Sequence, residues 1–279
     1  MTIKPDAQGR AVAADSLIWV VPLLADGARG VPLVNLLSPS VPLPSADAVG
    51  SVGGGMDIAF KVFSDLVVRL GLRPEHRVLD VGCGIGRMAY PLAYFLSAKG
   101  SYEGFDIMRD AIAWAQGAIG ARFPNFRFRH VDIRNTRYNK TGTLTSAQFA
   151  FPYENASFDR LFLNSVFTHM LDFEVEHYLD EFARVLAPGG RAYITCFLHD
   201  QEARKLIESG RSKEPQVHRL GAGFVVDPQV PEASIGFPRE WMLERMERRG
   251  LRVERVLPGG WCGRPGWIGY QDIVLVRRA

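Results

Sequence analysis

Three glycines, three aspartates, one asparagine and one histidine stand where strands of this chain should end. The first group lies in Arg77-Val78-Leu79-Asp80-Val81-Gly82-Cys83-Gly84-Ile85-Gly86-Arg87. Val78, Leu79 and Val81 make a short apolar run of β-formers, as a strand covered on both faces requires. Gly82, Gly84 and Gly86 let the backbone bend sharply and keep any Cβ from standing between it and a ligand. A helix expected to begin near Gly86 or Arg87 would aim unpaired N–H groups at a negative group above the turn. Asp80, at the carboxyl end of the strand, would repel a pyrophosphate and could attract an ammonium. A ligand with both a carboxylate and an amine, such as an amino-acid moiety, fits this turn better than a dinucleotide. The dinucleotide fingerprint also places its third glycine where Arg87 stands here.

The next acids come at regular intervals. Tyr102 to Asp106 reads as a second strand with Asp106 at its carboxyl end. An acid about twenty residues beyond a glycine turn can accept hydrogen bonds from both hydroxyls of a ribose; it can also cap a helix starting at Arg109. Phe126 to Val131 alternates as a third strand, and Asp132 ends it. Phe158 to Asn164 is a fourth strand, followed by Ser165-Val166-Phe167-Thr168-His169-Met170. His169 is the candidate general base, because imidazole titrates near neutral pH. A loop-holding role through hydrogen bonds stands beside it.

The string VLDVGCGIGR resembles the first motif of class I S-adenosylmethionine (SAM) dependent methyltransferases, and RVLAPGGRAYIT resembles another hallmark of that family. The resemblance covers roughly residues 56 to 279. It implies a Rossmann-like α/β fold: a doubly wound, seven-stranded sheet, mostly parallel, closed by a C-terminal antiparallel hairpin. It also implies SAM as cofactor. Gly82, Gly84 and Gly86 would then meet the methionine end, with Asp80 near its ammonium. Asp106 would take the ribose, with Ile107 against the adenine. Asp132 and Ile133 would face the adenine edge. Asn164 to His169 correspond to the fourth motif, beside the reactive methyl. Metal-dependent catechol-type members place an aspartate at that strand end; Asn164 stands there in this chain, so no metal is expected. The implied function is methyl transfer to a small molecule, to an oxygen of a metabolite or sugar-like compound. The alternatives are an RNA methyltransferase, a SAM-binding module without catalysis and, disfavoured by the glycine spacing, a nicotinamide oxidoreductase.

The rest of the chain must carry and cover these tips. Met56 to Leu70 has Phe60, Phe63, Val67 and Leu70 at helical spacing before Gly71. Helices are expected over Arg87 to Ala98, Arg109 to Ala121, Asp172 to Leu186 and Pro238 to Arg249. A fifth strand is expected over Arg191 to Phe197. Leu251 to Leu257 and Gln271 to Arg278 would form the hairpin. Asn135 to Asn155 is long for a connection and carries Tyr138, Phe149, Phe151 and Tyr153, which suggests a lid over the substrate. Residues 200–237 read as a short helix from Gln201 to Glu208 and then irregular chain, with a brief strand at Phe224 to Val226; the stretch 211–237 is a second lid candidate. In Pro258 to Gly269, Trp261 and Trp267 suggest an anchored loop, with a substrate wall as the second reading.

Residues 1–55 are broken by prolines and end in Gly53-Gly54-Gly55, so they read as an extension on a domain over 56–279. Leu17 to Leu24 is too short for a spanning helix and lacks the flanks of a signal peptide. In 279 residues, 47% are hydrophobic and 23% charged, ordinary for one soluble domain. A net charge of +3 is too weak to imply nucleic acid. Cys83, Cys196 and Cys262 show no C-x-x-C spacing, which argues against a zinc site or a disulfide scaffold and for a reducing cytoplasm. A homodimer is compatible with all of this; a membrane partner is not expected.

Overall fold

The computed structural model describes residues 41–42, 44–45 and 55–279. The apolar run Leu17 to Leu24, most of the extension over 1–55 and most of its glycine hinge lie outside the described residues. Seven strands form one sheet: β1 (Arg77–Val81), β2 (Ser101–Asp106), β3 (Phe126–His130), β4 (Phe158–Leu163), β5 (Leu186–Cys196), β10 (Leu251–Leu257) and β11 (Asp272–Arg278). They lie in the order β10-β11-β5-β4-β1-β2-β3. The α/β architecture, mostly parallel with an antiparallel hairpin at its C-terminal edge, is as the sequence predicts.

The chain divides into two compact units. The first runs to His76 and resumes over Cys83–Arg129; the second comprises Arg77–Gly82 and His130–Ala279. In the first, helix α1 (Met56–Val68) buries Ala59, Val62, Phe63 and Leu66. Phe63 meets Phe95 of α2 (Ala89–Phe95) edge-on at 5.2 Å. Tyr102 of β2 stacks on Phe126 of β3 at 5.0 Å, and Phe123 joins Tyr94 at 5.7 Å. Such aromatic pairs add about 0.5–1.5 kcal/mol each beyond their buried area. Helix α3 (Arg109–Ala115) continues as a π-turn over Gln116–Gly120. Helix α2 starts later than expected, at Ala89, and ends at Phe95. Gly86 has φ of 72°, which no right-handed helix can contain. Pro91 falls in the first turn, where a missing N–H breaks no helical bond, and Ser97 N–H leaves the helix for the carbonyl of Pro74.

In the second unit β1 and β4 are parallel, pairing Val78 with Arg160 through Val81 with Leu163. Arg77 and Asp159 join the starts of the two strands at 2.9 Å. Half-exposed, that pair adds little stability, but it marks the register. β5 runs parallel to β4 and antiparallel to β11, which pairs with β10. β5 begins at Leu186, and Pro188 to Gly190 lie in an irregularity of the strand, between the pairings of Leu186 with Phe158 and of Arg191 with Arg160. Helix α4 (Asp172–Val185) buries Val175, Tyr178, Leu179, Phe182 and Val185 on one face. Glu174 accepts the N–H of Leu171 and satisfies its first turn. Residues 200–237 are expected as irregular after the short helix, apart from the brief strand at Phe224 to Val226; the structure places a second sheet over residues 198–238. β6 (Leu198–His199), β9 (Ile235–Pro238), β8 (Gly223–Val225) and β7 (His218–Leu220) lie in that order, with α5 (Gln201–Glu208) between β6 and β7. Strands of two to four residues are too short for period-two patterning to reveal. Helix α6 (Arg239–Glu247) then leads to β10.

The Pro258 to Gly269 loop is anchored at Trp261, which is fully buried and donates its indole N–H to Asp272 at 2.7 Å. Asp272 also accepts the N–H groups of Leu198 and Gly259 and faces Arg264, which forks onto Asp200 at 2.7 and 2.8 Å. Trp267 is exposed. Among the described residues no helix is long and apolar enough to cross a membrane.

Candidate active site

The glycine turn after β1 holds three residues in the left-handed region: Gly82 at φ 79°, Gly84 at 53° and Gly86 at 72°. A side chain is disfavoured at each. Two of them also make room for protein. A Cβ on Gly82 would lie 2.3 Å from Cγ2 of Val166, and one on Gly86 would lie 3.0 Å from the ring of Phe128 and 3.2 Å from Ala115. Asp80, next to the turn on β1, is almost completely buried and level with Phe162 of β4.

In the first unit the turn is tied to the end of β2. Cys83 N–H donates to the carbonyl of Phe105 at 3.0 Å, and Gly84 N–H donates to Asp106 Oδ2 at 2.7 Å. Asp106 Oδ1 accepts the N–H of Met108 at 2.8 Å. Thus Asp106 does support the approach to α3, whose N-cap residue Met108 makes no side-chain cap bond of its own. An ionised carboxylate has about four acceptor sites, and two are used by these amides. Ile107, next along the chain, is half-buried.

Asp132 follows β3 in the second unit and organises a side loop. Its Oδ2 accepts from the Thr143 hydroxyl at 2.8 Å and Oδ1 from the Asn139 amide at 3.3 Å; its carbonyl takes the N–H of Thr143 and Leu144. The Thr143 hydroxyl, and after it the Asn139 amide, hold this carboxyl below its usual range. Ile133 is buried and bridged to Leu144. The aromatics of the long connection divide. Phe149 and Phe151 are buried, Phe151 edge-on to Tyr178 of α4 at 5.0 Å, and Tyr153 meets Phe158 at 4.9 Å. Arg184 and Glu181 of α4 bind the backbone of Phe151 and Tyr153. Tyr138 approaches His169, with ring centroids 5.6 Å apart.

The chain after β4 collects the remaining candidates. Asn164 and Ser165 are half-buried, and Ser165 adopts φ of 61°, left-handed without being glycine. Its N–H donates to Thr195 Oγ1 and its hydroxyl accepts from Gln271 Nε2, both at 2.8 Å. A 3-10 turn at Phe167–His169 then presents His169. His169 Nδ1 lies 2.8 Å from the carbonyl oxygen of Glu232. A carbonyl only accepts, so Nδ1 carries the proton and Nε2 the lone pair. Burial lowers the His169 pKa, and the positive charge of Arg137 adds to this; the Glu232 carbonyl and the charges of Glu214 and Glu232 oppose it. Glu232 is itself fixed by the N–H and hydroxyl of Thr136. Glu174, near Glu232 and Asp172, is pushed above the usual carboxylate range by burial.

Thr136, Thr195, Glu232 and Gln271 were not singled out in the sequence. Thr195 lay in plain view at the end of AYIT; nothing in the local pattern of the other three marks them. Among the described residues no group of three or more His, Cys, Asp or Glu side chains is arranged to hold a metal ion.

Comparison with known proteins follows from this geometry. A family model described as a methyltransferase domain matches residues 57–255. An arsenite methyltransferase of Aquipseudomonas alcaligenes is 30% identical over 138 residues, which is 50% of this chain and 36% of that protein. A 27-O-demethylrifamycin SV methyltransferase of Amycolatopsis mediterranei is 27% identical over 206 residues, 66% of each chain. The chain spans less than half the length of the first curated relatives it matches. Among solved structures, the Burkholderia thailandensis 1,6-didemethyltoxoflavin-N1-methyltransferase, with S-adenosylhomocysteine bound, superimposes with a TM-score of 0.52 at 16% identity. The match covers 84% of this chain and 80% of that one, and it shows the shared fold. With most of its length matched by one family model over the strands and turns described above, this chain belongs to the methyltransferase-domain family.

Proposed function

We propose that this chain transfers a methyl group from SAM to a small-molecule acceptor, at an oxygen of a metabolite or sugar-like compound. The observation that carries the reading is the glycine turn held open by Asp106, with Gly84 N–H on Oδ2 at 2.7 Å, in a chain of the methyltransferase-domain family. The donor set suits a sulfonium nucleoside. Asp106 is half-exposed, and a carboxylate at that position can accept from a ribose diol. The turn glycines leave backbone where a methionine carboxylate could sit, and Asp80 supplies negative charge for its ammonium. Ile107 offers an apolar face to adenine, and Asp132 with Ile133 offers an acceptor and a backbone N–H to its edge. We assign these roles residue by residue on the family's motifs. On the same basis 56–279 is the methyltransferase domain, 1–55 an extension, and 135–155 and 211–237 the segments that cover substrate.

SAM, when bound, supplies a methyl on a sulfonium sulfur that is already strongly electrophilic. The chain's residues therefore have alignment and dryness to provide more than activation. Asn164 to His169 line the acceptor side. His169 is neutral at pH 7, with its proton on Nδ1, so Nε2 is available to take the hydroxyl proton as the acceptor oxygen attacks. The named relatives act at different acceptors, among them arsenite and 27-O-demethylrifamycin SV. This supports a small molecule without selecting one.

The test is transfer of labelled methyl from SAM to the small-molecule fraction of a cell extract, with mass spectrometry of the product, beside calorimetric titration with SAM. Binding and labelling of a small molecule are expected. SAM binding without labelling would leave a binding module; no SAM binding would sink the reading.

A further inference from the structure

The turn after β4 is held by a residue far along the chain that the mechanism above does not use. Leu163 pairs with Ile194, Thr195 with Ile273 and Cys196 with Asp272. Gln271, one residue before β11, therefore arrives at the edge where β4 and β5 end. Its Nε2 donates to Ser165 Oγ at 2.8 Å, one residue past Asn164. Its Oε1 is buried and has no hydrogen-bond partner among the described residues. A buried acceptor left unpaired is unfavourable in a folded protein, and such an atom calls for a donor from outside the chain. Ser165 adds a second sign. Left-handed backbone at a non-glycine residue is sparsely populated and clusters at sites of function. Here it is kept by two side-chain bonds, from Thr195 and from Gln271.

We propose that Gln271 binds the methyl acceptor: Nε2 holds the Ser165 turn, and Oε1 accepts a hydrogen bond from an O–H or N–H of the acceptor. The role rests on the methyl-transfer reading. It places the acceptor among hydroxylated or amino compounds, because a molecule with no donor would leave Oε1 unpaired.

The experiment uses the full chain, labelled SAM and the small-molecule fraction of a cell extract at graded dilution, with SAM affinity and melting temperature measured in parallel. Q271M removes both polar atoms at similar length, and Q271A is read beside it so that a folding failure of one leaves the other. Q271E keeps an accepting oxygen at the same reach. S165A removes the hydroxyl that Nε2 holds and leaves Oε1 in place. The truncations are expected to raise the half-saturating extract concentration about tenfold, with SAM affinity within about twofold of wild type. Q271E should recover most of the loss, and S165A should shift saturation less than Q271M. Saturation of Q271M at the wild-type concentration overturns the role. So does a parallel loss of SAM affinity, or an S165A effect equal to that of Q271M with no rescue by Q271E, since both would mark a structural part only. A wild-type chain that neither binds SAM nor transfers methyl overturns the methyl-transfer reading, and this role with it; an active wild type with unaffected truncations removes this role alone.

Discussion

The turn after β1 and the turn after β4 both enter the left-handed region, and they are held there in opposite ways. The first uses glycine three times and needs no partner to tolerate its dihedrals. Its main side-chain tie, Gly84 to Asp106, spans 22 residues. The second uses Ser165, whose Cβ makes the same conformation unfavourable by about 1–3 kcal/mol, and it is clamped from Thr195 and Gln271, 30 and 106 residues away. A conformation can be secured by choice of residue or by tertiary bonds. Only the second way is sensitive to changes far off in sequence.

Substitutions can break this contrast. The largest effect is expected from Gly82→Ala. The new Cβ would overlap Val166 at φ of 79°, and a loss of about 3 kcal/mol or more in unfolding free energy should appear in denaturant melts. A loss under about 1 kcal/mol would mean that Val166 moves aside and that the glycine turn is softer than described. His169→Ala comes next. As the base, His169 should account for about a hundredfold or more in kcat, with SAM affinity unchanged; a mild loss would make it a brace for the Glu232 segment. Asp106→Ala should weaken SAM binding by about 1–3 kcal/mol, read by calorimetry, and unaltered affinity would refute the ribose assignment.

Burial lowers the pKa of His169, and also that of His199, below the ordinary value. Below about pH 6.5 the unfolded chain binds protons that the folded chain refuses, so stability should fall as pH drops from there toward the folded values. Activity should fall on the acid side with an apparent pKa under about 6.5 if His169 is the base. A pH–rate profile and melts between pH 5 and 8 (about the range in which imidazole titrates) check both, and H169Q should remove part of the stability slope and leave the share of His199. Smallest is Ser165→Gly. Relief of the left-handed strain and loss of the Gln271 bond act against each other, so the melt should move by less than about 1 kcal/mol, in contrast to Gly82→Ala.

Much of the first turn was legible in the chain. Alternating glycines after an apolar strand, and an acid at the end of the next strand, are local patterns with local causes. The acceptor side was less so. Phe149, Phe151 and Tyr153 stand together in the long connection, and the structure buries the first two and sets Tyr153 against Phe158. An aromatic in a loop has the same letter whether it covers a ligand or fastens the loop to a helix. Of the small second sheet only the strand near Phe224 was expected, because its other strands are too short to show a period.

By itself the sequence determined the α/β order, the bend after β1 and the hairpin at the end. Periodicity and glycine placement act over a few residues and survive without knowledge of the rest. Tertiary structure alone decided that Glu232 sets the tautomer of His169 and that Gln271 holds Ser165, across 63 and 106 residues. Hydrogen bonds are made between groups close in space, and a chain carries no local mark of which distant residue will fill that place until the sheet register brings them together.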